Sequence, residues 1–114
     1  MRRDVERLED ILEALQRIRQ HTSDGREPFD RQELVQVWVI HHLEIVGEAC
    51  RALSPSLRER HPEVPWSDIT GMRNILVHDY FGLDLDEVWS AVDHDLPVLR
   101  GQIEAILAEE RSRS

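Results

Sequence analysis

Residues 31–53 carry the pattern that most limits the fold. Leu34, Val37, Trp38, Ile40, Leu43, Ile45, Val46, Ala49 and Leu53 recur at helical spacing and cover most of a helix circumference. A helix apolar on more than one side is central, contacting several other helices or a second subunit. No stretch alternates with period two over a useful length, and no internal repeat is present. The other segments are helical as well. Val5, Leu8, Ile11, Leu12, Leu15 and Ile18 form one stripe over 4–21, with Asp4 as the expected N-cap. "TSDGREPFD" breaks the pattern, and Asp30 with Glu33 has capping-box spacing for the central helix. Ser54-Pro55 starts a short helix that Pro62 and Pro65 close. Ser67 is the expected cap of a helix reaching about His78, with Trp66 packing against its first turns. Asp84 or Asp86 caps a last helix bearing Leu85, Val88, Trp89, Val92 and Leu96, then Leu99, Ile103, Ile106 and Leu107. Pro97 lies inside it. Its missing amide and its ring predict a kink or break near 93–96. The expected architecture is an all-α, up-and-down four-helix bundle in one domain, 1–114, with 1–3 and 110–114 frayed.

Charge narrows the partners. Asp+Glu 23 against Lys+Arg 14 gives a net charge of −9, so the general surface repels nucleic acid. Contact with a polyanion needs a local basic site. There is no Lys, and each Arg can hold a phosphate through two donors. Cys50 is alone, which excludes a disulfide framework and a cysteine metal site. "MRRDVERLEDIL" lacks an apolar signal core, and the longest apolar run, Val37–Ile40, is too short to span a bilayer. These features predict a soluble cytoplasmic protein with no membrane contact.

"TGMRNILVHDYFGLD" holds Arg73, Asn74, His78 and Tyr80 among apolar residues. Asn74 and His78 share one helix face. Arg73 and His78 lie about 140° apart on a regular helix, so one helix alone does not aim both at one atom. They converge if the helix unwinds after Val77, or if a symmetry mate supplies one of them. Such a set suits phosphodiester cleavage without metal. His78 moves a proton to or from a ribose oxygen, and Arg73 stabilises charge on phosphate oxygens. Asn74 holds the histidine or a phosphate oxygen. On spacing alone, helix termination explains these residues as well or better, because His near a C-terminus suits the dipole and Asn caps.

His41, Glu44 and Glu48 share a face of the central helix. A metal site there lacks the Glu-x-x-His ligands that di-metal bundles draw from several helices. Polar groups on an apolar helix need buried partners, so Glu44 or Glu48 is a candidate to orient Arg73. Trp38, Trp66 and Trp89 could stack nucleobases, but the helical spacing of Trp38 and Trp89 to Leu and Val favours core packing. Phosphate-binding glycine patterns and a nucleophile elbow are absent.

Arg-Asn-x-x-x-His-x-Tyr resembles the mark of the HepT toxins of HepT/MntA toxin–antitoxin modules, within the HEPN superfamily. "LEDILEALQRI", "LEIVGEA", "HPEVPWSDITGMRNILVHDYFGLD" and "VWSAVDHDLPVLRGQIEAIL" resemble the family's successive blocks across nearly the whole chain. His41-His42 stands where relatives often have Arg-Asn, and Met72 replaces a usual Leu. The resemblance implies a metal-independent endoribonuclease toxin that needs no cofactor. It implies Arg73, His78 and Asn74 as its catalytic set, and a homodimer whose two sets border one cleft. It also implies an MntA-like nucleotidyltransferase antitoxin that adds AMP to Tyr80. Two rival readings are a non-catalytic HEPN binding module and a helical dimerisation protein with a structural Arg/His pair.

Overall fold

The computed structural model describes residues 2–71 and 84–113. Within them the protein is all-α, with no strand. The elements are α1 (Arg2–Gln20), α2 (Arg26–Arg31), α3 (Glu33–Ala52), α4 (Pro55–Arg60), α5 (66–71), α6 (Leu85–Ser90), a π turn (Ala91–Asp95) and α7 (Leu96–Arg113). Helix α1 packs along both α3 and α7, and the short α2 folds back on α3.

The stripes seen in the sequence form the core. Leu8, Ile11 and Ile18 of α1 meet Val39, Leu43, Val46 and Cys50 of α3 and Ile103 and Ile106 of α7, all almost fully buried. Each such side chain contributes about 1.5–3 kcal/mol by leaving water. Helix α3 is buried along the line from Val39 to Cys50, yet Leu34 is 83% and Val37 40% exposed. Its outer face therefore leaves Leu34, Val37 and His41 exposed.

Several helix ends differ from the sequence expectation. Helix α1 begins at Arg2, ahead of Asp4. Asp4 is no cap: its buried carboxylate accepts from the Ser54 amide at 2.9 Å and the Ser54 hydroxyl at 2.6 Å. Ser54 Oγ in turn accepts from the Leu57 amide at 3.3 Å, capping α4 as expected. Asp30 lies inside α2 and pairs with Arg26 at 3.1 Å, leaving Gln32 to begin α3 without a side-chain cap. An ion pair one turn away competes successfully for the Asp30 carboxylate. Gly25, before α2, has φ 94° and ψ −173°, a conformation open to glycine alone at little cost. Helix α5 starts one residue before Ser67, with the Ile69 amide donating to the Pro65 carbonyl at 3.1 Å.

Asp84 caps α6 through the Asp86 amide at 2.9 Å. Pro97 does not break the last helix. The helix widens into the π turn just before it, where the Leu96 amide reaches the Ala91 carbonyl five residues back. One extra residue in the turn relieves the clash of the proline ring with the preceding carbonyls. The C-terminal end, expected to fray, is helical to Arg113, and Glu110 is only 5% exposed.

Candidate active site

Arg73, Asn74, His78 and Tyr80 lie outside the described residues, as does Met72. What the structure describes is how the chain is delivered to and received from that segment. Helix α5 enters it. Trp66 and Ile69 are buried, and the Trp66 indole donates to the His61 carbonyl at 2.9 Å. The Thr70 hydroxyl donates to the Trp66 carbonyl at 3.0 Å, one turn back. The end of α4 and the loop after it are tied to the far end of α7. Arg60 donates to Glu110 at 2.8 Å, and the Glu110 side chain is 3% exposed. The buried His61 ring lies 3.4 Å from Glu63 and 3.7 Å from Glu109. A buried carboxylate paired with arginine fixes geometry, because breaking the pair strands a charge in low dielectric.

On the exit side, Arg26 bridges Asp30 of α2 and Asp86 of α6. These two carboxylates, Asp86 first, raise the arginine pKa further and keep it charged. Phe29 and Trp89 pack beneath, ring centres 5.4 Å apart. Trp89 is half-buried against the core. Trp38 is also only half-buried, and its indole donates to the Arg17 carbonyl at 2.8 Å. That bond pins α3 to the end of α1.

Glu44 is half-buried on α3 and Glu48 is exposed. Their expected partner Arg73 is outside the described residues. The pair His41-His42 divides by face. His42 is buried and its Nδ1 lies 2.7 Å from the Trp38 carbonyl. A carbonyl only accepts, so Nδ1 carries the proton there. Its ring packs on Trp38 at 4.4 Å. His42 is therefore a core residue, and His41 alone is exposed on the outer face. Among the described residues no three His, Cys, Asp or Glu side chains gather as a metal-ligand group. Cys50 is fully buried, and burial pushes its thiol up to about 12 against the opposing charge of Arg58. Such a thiol is no nucleophile near neutral pH. No described helix is long and apolar enough to cross a membrane.

Sequence reasoning gave Asp4 the wrong role and missed His61 and Glu110, whose contacts hold the α4–α5 end. Glu110 had left a trace: it continues the spacing Leu99, Ile103, Ile106. A charge on an apolar stripe signals a buried partner.

Comparison with known proteins bears directly on the segment that the structure does not describe. A family model described as ribonuclease HepT-like matches residues 11–106, which include the whole motif. A Methanocaldococcus jannaschii protein named "Putative RNase MJ1380" is 38% identical over 107 residues, covering 92% of this chain and 98% of its own. A Thermococcus cleftensis protein named "Probable ribonuclease HepT" is 39% identical over 100 residues, covering 87% and 91%. A second M. jannaschii protein, "Gamma-glutamylcyclotransferase and putative RNase MJ0434", is 39% identical over 111 residues but only 50% of it is covered. No solved structure matches significantly. The chain thus belongs to the HepT-like ribonuclease family of HEPN-type toxins.

Proposed function

We propose that the protein is the toxin of a HepT/MntA module, a metal-independent RNA endoribonuclease. The observation that carries this reading is the Arg-Asn-x-x-x-His-x-Tyr motif inside a family match spanning 11–106. His78 takes the proton of a ribose 2′-hydroxyl as its oxygen attacks phosphorus, or delivers one to the departing 5′-oxygen. The bond from phosphorus to that oxygen breaks, leaving a 2′,3′-cyclic phosphate and a 5′-hydroxyl. Arg73 stabilises the charge that builds on the phosphate oxygens, and Asn74 positions. Glu44 or Glu48 orients Arg73.

The working form is a homodimer in which two Arg/His sets border one cleft. The uncovered Leu34 and Val37 on the outer face of α3 support it, since a second copy would bury them. An MntA-like nucleotidyltransferase adds AMP to Tyr80. The added phosphate and base then occupy the donors that would bind RNA.

The test is cleavage of RNA by the purified chain in EDTA. Cyclic-phosphate ends are expected, and His78→Ala or Arg73→Ala is expected to lower the rate about 10²–10⁴-fold with the fold intact. Full activity in a folded His78→Ala protein overturns the assignment. A folded wild-type chain that never cleaves, yet binds nucleotide or a nucleotidyltransferase, is the non-catalytic HEPN module instead.

A further inference from the structure

The π turn separates two grooves. The larger, about 800 Å³, lies between α1 and α7. Its charged residues are Arg19 and Arg100 with Asp93 and Glu104, so the signs cancel and select no partner. The smaller, about 360 Å³, opens beside the first turn of α5, and its charged residues among those described are all acidic. Its floor is apolar: Val46, Ile69, Leu96 and Leu99 are each less than one-tenth exposed. Its rim carries Glu63, Asp68 and Asp95 and, among the described residues, no Arg. Among the described residues Asp68 and Asp95 have no ion-pair partner, and Glu63 faces only His61. Val98 stands on the same rim, 62% exposed.

We propose that this groove docks a basic amphipathic segment of another protein. One large apolar side chain of that segment fills the groove, and Arg or Lys residues beside it meet the three carboxylates. The volume is at the lower end of the range for ligand pockets, about 300–1,000 Å³, and suits a side chain better than a whole cofactor. Carboxylates of one sign around an apolar floor are complementary to cations placed beside an apolar anchor. The same carboxylates repel phosphate, which favours a basic peptide over RNA as the occupant. An apolar anchor flanked by charge is the recognition mode of a helix lying in a groove. Asp68 and Ile69 belong to α5, so a docked partner touches the helix that enters the motif. The inference does not depend on the ribonuclease reading, because docking is measured without catalysis.

The probe is a panel of synthetic helical peptides bearing one Leu, Phe or Trp anchor flanked by arginines, with glutamate-flanked versions as controls. Binding to the full chain is followed by fluorescence anisotropy, and thermal melts check each variant's fold. The arginine peptides are expected to bind and the glutamate peptides not. Asp68→Asn with Asp95→Asn is expected to weaken binding about tenfold or more, and Val98→Arg similarly, since both remove rim complementarity. Asp10→Asn with Asp24→Asn, the same charge change elsewhere, should alter it less than about twofold. Equal weakening by the two double variants, no effect of Val98→Arg, or no binding by any arginine peptide overturns the proposal. A fall in oligomeric mass on Val98→Arg would assign the groove to a second copy and overturn it too.

Discussion

The bundle of α1, α3 and α7 and the end built from α4, α5 and the tip of α7 are held by different forces. The bundle is joined by aliphatic side chains with almost no polar atom among them. The α4–α5 end shares that core but adds buried polar ties: Asp4 on Ser54 and Arg60 on Glu110 across fifty residues, and the Trp66 indole on the His61 carbonyl five residues back. Apolar packing is non-directional and tolerates exchange of similar shapes. Buried polar pairs fix direction and fail when one member is lost. The chain places the directional contacts beside the helix that leads into the segment carrying the candidate motif.

The largest expected loss is in the bundle. Leu43→Ala removes a fully buried side chain at the centre of α3 and should cost about 3–4 kcal/mol by denaturant unfolding. Leu43→Met should cost under about 1.5 kcal/mol. Equal losses would show that the bundle is as shape-specific as the polar end. Arg60→Ala should come next, at about 3 kcal/mol or less, the low end for unpairing a buried carboxylate, because Arg60 is partly exposed and Arg113 stays 3.9 Å from Glu110. The companion Glu110→Gln keeps the shape and removes the charge, so it should restore part of that loss in the double variant. A double variant no more stable than the additive sum would deny the pair its directional role.

Cys50 tests the bundle by pH. Its folded pKa, about 12, lies above the ordinary value of 9.0 because the thiol is buried. Between those values the unfolded chain loses the proton and the folded chain keeps it. Stability therefore falls as pH rises through this window, by up to about 1.4 kcal/mol per unit from this group. Cys50→Ala should flatten the slope above pH 9 in urea titrations at stepped pH. An unchanged slope would mean that the thiol reaches water.

How much could be read in the sequence follows the same division. The stripes of α1, α3 and α7, the Ser54 and Asp84 caps and the disturbance before Pro97 were all legible, because each is set within a few residues. The caps assigned to Asp4 and Asp30 were not. Asp4 bonds a serine in another helix, and Asp30 was taken by Arg26. A carboxylate serves whichever donors the tertiary fold brings to it, and local spacing does not reveal that choice. The candidate site divides likewise. Its residue types and family pattern are carried by 73–80, whereas the supports at His61 and Glu110 come from pairings across the chain.

The smallest expected effects come from two glycines that spacing treats alike. Gly101 lies within α7, and a Cβ built on it meets nothing within 4 Å. Gly101→Ala should stabilise the protein by about 0.5–1 kcal/mol, because alanine has less backbone entropy to lose in a helix. Gly25 also has open space around a built Cβ, but its φ is 94°. There the cost is in the backbone itself, and Gly25→Ala should destabilise by about 1 kcal/mol or more. Opposite signs in paired thermal melts would show that conformation, not crowding, decides both positions. If Gly25→Ala were neutral, the turn between α1 and α2 would have relaxed, and Arg26 would be the first contact to register it. The Arg26 bridge to Asp86 would then loosen, and with it the α6 start that receives the chain from the motif.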